Sequence, residues 1–184
     1  TAAGKKMRAP ILFWGSLVFY WFASGGNITA MVILLSLLLF NYATALFIDR
    51  ADGKLRTGLY AFGVVIDAAA LLSPKIMEII SNAFEGILPE MLAFVAPVGF
   101  SFYMFKNMSY LRGVYDKKTP AELSILTYGA YCANFAQVIS GPIQTYSEFK
   151  KSFDRGRGGL AAINAGLYEF IIGLSLKILL ADRI

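Results

Sequence analysis

Hydrophobic and polar positions follow one another along this chain in long blocks rather than in the short periods of a soluble helix or strand. The basic flank Lys5-Lys6-Met7-Arg8 and Pro10 precede an aromatic-rich apolar run, Ile11 to Phe22, with Trp14, Tyr20 and Trp21 placed as interfacial anchors. After the turn Ser24-Gly25-Gly26-Asn27, Ile28 to Ile48 stays apolar for about 21 residues, enough at ~1.5 Å per residue to cross a ~30 Å hydrocarbon core. A loop carrying Arg50, Lys54 and Arg56 leads to a third run, Leu59 to Leu72, interrupted by Asp67 and ended by Ser73-Pro74. From Lys75 to Pro89, Ile76, Ile79, Ile80, Ala83, Phe84 and Ile87 recur at i, i+3, i+4, i+7 spacing, which suits a helix lying in the interface, with a short return span as the alternative. Further apolar runs cover Met91 to Val114, Ala121 to Ile143 and Leu160 to Leu180, with a polar segment from Tyr146 to Gly159 between the last two.

The pattern predicts an all-α, polytopic transmembrane helical bundle in one membrane domain over residues 1–184. Its expected spans are near 11–23, 28–48, 58–73, 91–114 and 159–180, with an interfacial amphipathic helix at 75–88. Residues 121–143 are expected to be a re-entrant broken helix, because Lys/Arg counting fails otherwise. The N-terminal flank, the Arg50–Arg56 loop and the Arg112, Lys117, Lys118 cluster fall on one side, the cytoplasmic one. A full fifth crossing would put Lys150, Lys151, Arg155 and Arg157 on the other. A segment that breaks at Gly141-Pro142 and returns removes the conflict, and it gives Asn134, Gln137, Ser140 and Gln144 a protein or water-filled surface to face.

Composition agrees: 57% of residues are hydrophobic, 16% are charged and the mean hydropathy is +0.59, outside the range of soluble domains. The net charge of +5 is explained by anionic headgroups and the positive-inside bias, not by nucleic acid. Location in a cytoplasmic (inner) membrane, with several passes through the lipid bilayer, follows. The chain starts at Thr1 and stops at Ile184 inside a hydrophobic run, so it reads as a fragment. One cysteine, Cys132, is read as packing, and there are no histidines. A Ser-His nucleophile cannot be assembled, no metal site is supported and no bound cofactor is expected.

Asp67, Lys106 and Glu169 fall inside apparent spans, where each would cost roughly 2.5 kcal/mol or more if it faced lipid. They therefore face the bundle interior or a cavity, either as Lys106 paired with Asp67 or Glu169, or in contact with substrate. Tyr103, Lys106, Asn107 and Tyr110 form one polar stripe, and Tyr128, Tyr131, Asn134 and Gln137 another. The two enclose a polar cavity or bond to each other across the helices. Asp154-Arg155-Gly156-Arg157-Gly158-Gly159 is a basic loop at the headgroups rather than a phosphate cradle, since it lacks the lysine and strand of a nucleotide loop.

Pro97-Val98-Gly99-Phe100-Ser101-Phe102-Tyr103 through Lys106-Asn107-Met108-Ser109-Tyr110-Leu111, then Val114-Tyr115-Asp116, resembles the Pro-x-Gly-[Ile/Phe]-Ser-[Phe/Tyr] block of the membrane-bound O-acyltransferase family. A second block, Asn134 to Ile143 with Gly141-Pro142-Ile143, followed by Tyr146 and Phe149, is similar to that family's Phe-Pro-x-hydrophobic-x-x-Gly-Pro-Ile stretch and the helix after it. Lys177 to Arg183 is similar to its Lys-x-hydrophobic-x-Ala-Asp run. Ala136 stands where many members have proline. The likeness is strongest to bacterial members that O-acetylate exopolysaccharides such as alginate, with D-alanylation of teichoic acids as the near alternative.

The resemblance implies an enzyme that moves an acyl group, here acetyl, from a cytoplasmic acyl-CoA or acyl-carrier thioester donor to a hydroxyl acceptor on an extracytoplasmic polysaccharide. A periplasmic or extracellular partner acyltransferase can take part. The family's histidine base lies downstream of this region, so no catalytic residue is assigned within the chain. Ser101, Tyr103, Lys106 and Tyr110 are expected to line one side of a substrate funnel, and Asn134, Gln137, Ser140, Gly141, Pro142 and Gln144 the other. Without the resemblance, a transporter or channel subunit and a non-catalytic membrane scaffold compete, and no inverted repeat supports transport.

Overall fold

Asn27 begins the long second helix by accepting hydrogen bonds on its side-chain oxygen from the backbone N–H of Thr29 (2.9 Å) and Ala30 (3.2 Å), filling two of the donors a helix start leaves open. In a computed structural model describing residues 2–83, 96–139, 141–155 and 160–181, the described elements are helices. They are α1 (Ala2–Ala23), α2 (Ile28–Arg50), α3 (Gly53–Ala83), α4 (Phe100–Tyr115), α5 (Ile125–Cys132), α6 (Tyr146–Arg155) and α7 (Leu160–Leu176), the last running into a π-helical turn at Lys177–Ala181. Two compact units divide the chain, residues 1–151 and 152–184.

Within the first unit α4 packs against α2 and α3, while α1 packs on α5. The buried positions of α2, Ala30, Leu34, Leu38, Asn41, Ala45 and Ile48, recur every three or four residues and make one stripe. Its apolar remainder faces outward, as do Trp14, Phe22, Phe47, Phe62 and Val65. Among the described residues the polar groups turned inward include Ser16, Asn41, Arg56, Asp67, Lys106 and Asn107. Apolar outside and polar inside is the arrangement stable in hydrocarbon, where polar groups must find partners within the protein. Both α2 and Gly53–Met77 of α3 are long and apolar enough to cross a membrane. This is an all-α membrane fold.

Two boundaries differ from the sequence expectation. No break occurs at Ser73-Pro74: α3 continues as one 31-residue helix with Pro74 inside it, so residues 75–83 extend α3 rather than start a separate helix. Pro74 removes one backbone donor, a loss a long packed helix tolerates, and the Ser73 hydroxyl donates to the Ala70 carbonyl (2.8 Å) in the same turn. Residues 84–88 lie outside the described region. The fourth run is not one helix over 91–114 either: residues 96–99 are non-helical and α4 starts at Phe100, after Gly99 at φ +71°. That left-handed backbone admits glycine, and a Cβ there would lie 2.0 Å from the Val138 carbonyl oxygen. The helix that the resemblance places after Gly141-Pro142 is Tyr146–Arg155, with Tyr146 and Phe149 buried.

In the second unit α7 carries exposed Ile163, Leu167, Phe170 and Ile171, with Glu169 also exposed.

Candidate functional site

The loop Asp116–Ser124 and the start of α6 meet at one end of α4. Glu122 accepts a hydrogen bond from Lys150 Nζ (2.8 Å) and another from the Tyr146 hydroxyl, while its own backbone N–H donates to the Tyr110 hydroxyl (2.9 Å). Burial raises the Glu122 carboxyl, but the bonds from Lys150, Tyr146 and the Ser124 N–H outweigh it and hold the group below the usual glutamate range. From this knot the chain enters α5, turns, and comes back to α6. Contacts mark its course along α4: Tyr128 hydroxyl to Asn107 Oδ1 (2.7 Å), Lys106 Nζ to Gln137 Oε1 (2.9 Å), then the Val138 backbone carbonyl against Gly99. From Tyr110 to Gly99 is about 16 Å of helix rise, so the element reaches well along α4 and returns to the end it left. The chain between Glu122 and Lys150 thus starts and ends beside the same end of α4.

The turn itself is built by Asn134. Its carbonyl accepts from the N–H of Gln137 (2.9 Å) and Val138 (2.8 Å), and its side-chain oxygen accepts from Ala136 N–H (3.2 Å). Gly141 closes the return, with its N–H on the Gln137 carbonyl (3.1 Å). A Cβ there would sit 2.3 Å from Gln137 Cα, so the motif glycine is fixed by close approach of the two arms.

Lys106 lies at the centre, 1% exposed. Its ammonium donates to the Tyr131 carbonyl (2.5 Å) and to Gln137 Oε1 (2.9 Å), and it stands 4.6 Å from the centroid of the Tyr131 ring. Gln137 in turn donates to Gln144 Oε1 (3.2 Å), and the Tyr131 hydroxyl is shared between the carbonyls of Gln144 (2.9 Å) and Lys106 (3.3 Å). A buried cation is thus held by dipoles and a π face instead of a carboxylate. The expected pairing of Lys106 with Asp67 is not formed: Asp67, fully buried on α3, accepts from Asn41 Nδ2 (2.8 Å) instead, and Glu169 is an exposed residue of α7. An ammonium has three donors and two are used among the described residues, so Lys106 can offer one to a carbonyl or oxyanion brought alongside.

Of the expected funnel residues, the structure joins Lys106, Gln137 and Gln144 directly, with Asn134 and Gly141 shaping the turn around them. Tyr103 and Tyr110 are buried on the same helix. Tyr103 lies edge-on to Phe100, and Tyr110 belongs to an aromatic cluster with Tyr128, Tyr131 and Tyr146. Ser101 and Pro142 are exposed and make no part of the network, and Ser140 lies outside the described residues. The two polar stripes bond across the helices rather than standing apart. Cys132 is buried and its thiol donates to Asn107 Oδ1 (3.1 Å), in keeping with packing. No group of three or more metal-ligating side chains occurs among the described residues.

The structural roles of three residues escaped the sequence reading. Glu122 and Lys150 knot the ends of the segment carrying α5 and the Asn134 turn. Buried Arg56 donates to the carbonyls of Val114 (2.6 Å), Tyr115 (3.2 Å) and Ala51 (3.3 Å), fastening the α2–α3 loop to the end of α4. An Arg in a basic loop carries no sign that it is structural. Asn41, in a run read as uninterrupted, was the visible clue to a partner for Asp67.

No family model matches the chain, and no solved structure does. Among curated proteins it is similar to the probable alginate O-acetylase AlgI of Pseudomonas fluorescens, 26% identical over 99% of this chain and 35% of the relative. The protein of the same name from Pseudomonas aeruginosa is 27% identical over 99% of this chain and 36% of the relative. A peptidoglycan O-acetyltransferase of Helicobacter pylori is 26% identical over 91% of this chain and 37% of the relative. The chain therefore spans little more than a third of the length of the curated relatives it matches. Over nearly its whole length it is related to bacterial O-acetyltransferases, and the resemblance to the membrane-bound O-acyltransferases carried by residues 97–149 stands.

Proposed function

We propose that this chain is the substrate-lining part of a multi-pass, cytoplasmic-membrane O-acetyltransferase that moves an acetyl group from a cytoplasmic thioester to a hydroxyl of an extracytoplasmic polysaccharide. The observation that carries this reading is the likeness to named O-acetyltransferases along nearly the entire chain. The buried Lys106–Gln137–Gln144 seam gives it a physical counterpart. Its role is to hold the acyl carbonyl. As the acceptor oxygen attacks, negative charge grows on the carbonyl oxygen, and a pre-set ammonium in a low-dielectric interior stabilises that charge without reorganising. The proton removed from the acceptor needs a base, and no histidine is present in these residues to take it. Lys106, already a donor to two acceptors, is not that base.

Different relatives act on different polymers by name, so the acceptor is proposed only as a polysaccharide hydroxyl. A partner acyltransferase on the far side of the membrane fits a route in which the acetyl group is passed on. Membranes holding the full-length protein, given acetyl-CoA labelled in the acetyl group and an acceptor polysaccharide, should incorporate label into alkali-labile esters. Absence of such esters with alginate and peptidoglycan alike, from folded protein, would count against the reading.

A further inference from the structure

A cavity of about 200 Å³ lies at the basic end of the first unit, between the last turn of α4 and the first turn of α6. Its walls include Arg112 and Lys118 and the hydroxyl-bearing Ser109, Thr119 and Thr145. The Thr119 hydroxyl oxygen is shielded from solvent and has no hydrogen-bond partner among the described residues. An oxygen left so is costly unless something in the cavity completes it.

The end of α4 would ordinarily repel an anion, since the last carbonyls of a helix carry partial negative charge. Here they are covered. Arg56 takes those of Val114 and Tyr115, Asp116 N–H takes that of Arg112, and the N–H groups of Lys118 (3.0 Å) and Thr119 (3.3 Å) both take that of Gly113. The same bonds fix Lys118 and Thr119 on the cavity wall, over a turn in which Lys117 adopts φ +56°. Arg112 is held in place by Asp116 Oδ2 on its Nε (2.9 Å) and by the rings of Tyr60 and Tyr115, about 5.9 and 5.8 Å away. Lys118 shares that carboxylate at 3.3 Å. One carboxylate against two cations leaves a positive excess. Glu148, the nearest acid on α6, is engaged with the Thr145 N–H (2.9 Å) at its own helix start.

We propose that this cavity is a phosphoryl-binding site, in which Arg112 and Lys118 meet a phosphate ester and the Thr119 hydroxyl donates to one of its oxygens. A planar guanidinium, an ammonium and hydroxyl donors around one small volume are the groups that match a tetrahedral anion with several acceptor oxygens. The carrier of that ester is either a soluble phosphorylated cofactor or a phospholipid headgroup. The site stands on its own geometry and does not depend on the acyl-transfer reading.

Full-length protein in neutral phosphatidylcholine nanodiscs tests it with two probes, coenzyme A by titration calorimetry and phosphatidylglycerol by native mass spectrometry. The variants are R112Q/K118Q, which removes both charges, R112K/K118R, which keeps them, and T119V, which removes only the hydroxyl. If the carrier is soluble, coenzyme A binds the wild type, weakens about tenfold or more in R112Q/K118Q and severalfold in T119V, and is largely retained by R112K/K118R. If it is a lipid, phosphatidylglycerol shows that same order and coenzyme A does not bind. Binding of neither probe, or binding indifferent to both R112Q/K118Q and T119V, overturns the proposal. These readouts need no acetyl transfer, so they stand or fall separately from it.

Discussion

Glu122 and Lys150, 28 residues apart in sequence, meet at 2.8 Å where the segment carrying α5 and the Asn134 turn leaves and rejoins the basic end of α4. Because one precedes α5 and the other follows the turn, the contact requires both ends of the element at one level. Cysteines placed singly at Lys117 and Lys151 in a C132A background should therefore react with an impermeant maleimide from the same face of the membrane. Labelling from opposite faces would show that the segment crosses.

The same pair makes acid the weak point of that knot. The Glu122 carboxyl is held below its ordinary value of 4.5, so its contribution is complete above that value and is lost as pH falls through the lower folded value. Thermal unfolding of the wild type should lose stability on acidification below the usual carboxylate range. In E122Q, stability at neutral pH should be lower and that part of the acid loss absent.

Gly99 should be intolerant of any side chain. Its φ of +71° and the 2.0 Å approach of an added Cβ to the Val138 carbonyl oxygen together predict that G99A loses about 1–3 kcal/mol or more. Gly15, where an added Cβ meets nothing within 4 Å on a helix, supplies the contrast. G15A should be neutral or gain about 0.5–1 kcal/mol. Denaturation of the two variants side by side checks this.

Lys106 and Gln137 should couple energetically. K106M strands Gln137 Oε1 and the Tyr131 carbonyl, each an acceptor costing about 1–3 kcal/mol when left unmet, and Q137L removes one of the two. A double-mutant cycle should return a coupling on the order of 0.5–3 kcal/mol, well outside the scatter of independent sites.

The charge pattern pointed to a segment that leaves and returns, because Lys150 and Lys151 could not be placed by simple crossings, whereas Gly141-Pro142 marked only the return and not Asn134, which builds the turn. Helix identity was equally visible in the apolar runs. Boundaries were less so. Pro74 reads as a stop, yet a proline costs only one backbone bond, which packing along a 31-residue helix outweighs. Pro97 and Gly99 looked like part of a span because the residues around them are apolar, while the left-handed glycine breaks it. Partner choice was least legible. Three intramembrane charges suggest ion pairs, but nothing in residue spacing shows that Asp67 meets Asn41 or that Lys106 meets a carbonyl and an amide. Those depend on how α2, α3, α4 and the turn after α5 are brought together.

The most direct test of the proposed role is the rate of labelled acetyl transfer to polysaccharide by full-length K106M, measured per folded molecule against wild type. Loss of an ammonium that stabilises the developing oxyanion predicts a fall of roughly 10²–10³-fold with donor binding little changed. Transfer by K106M within about twofold of wild type would contradict it.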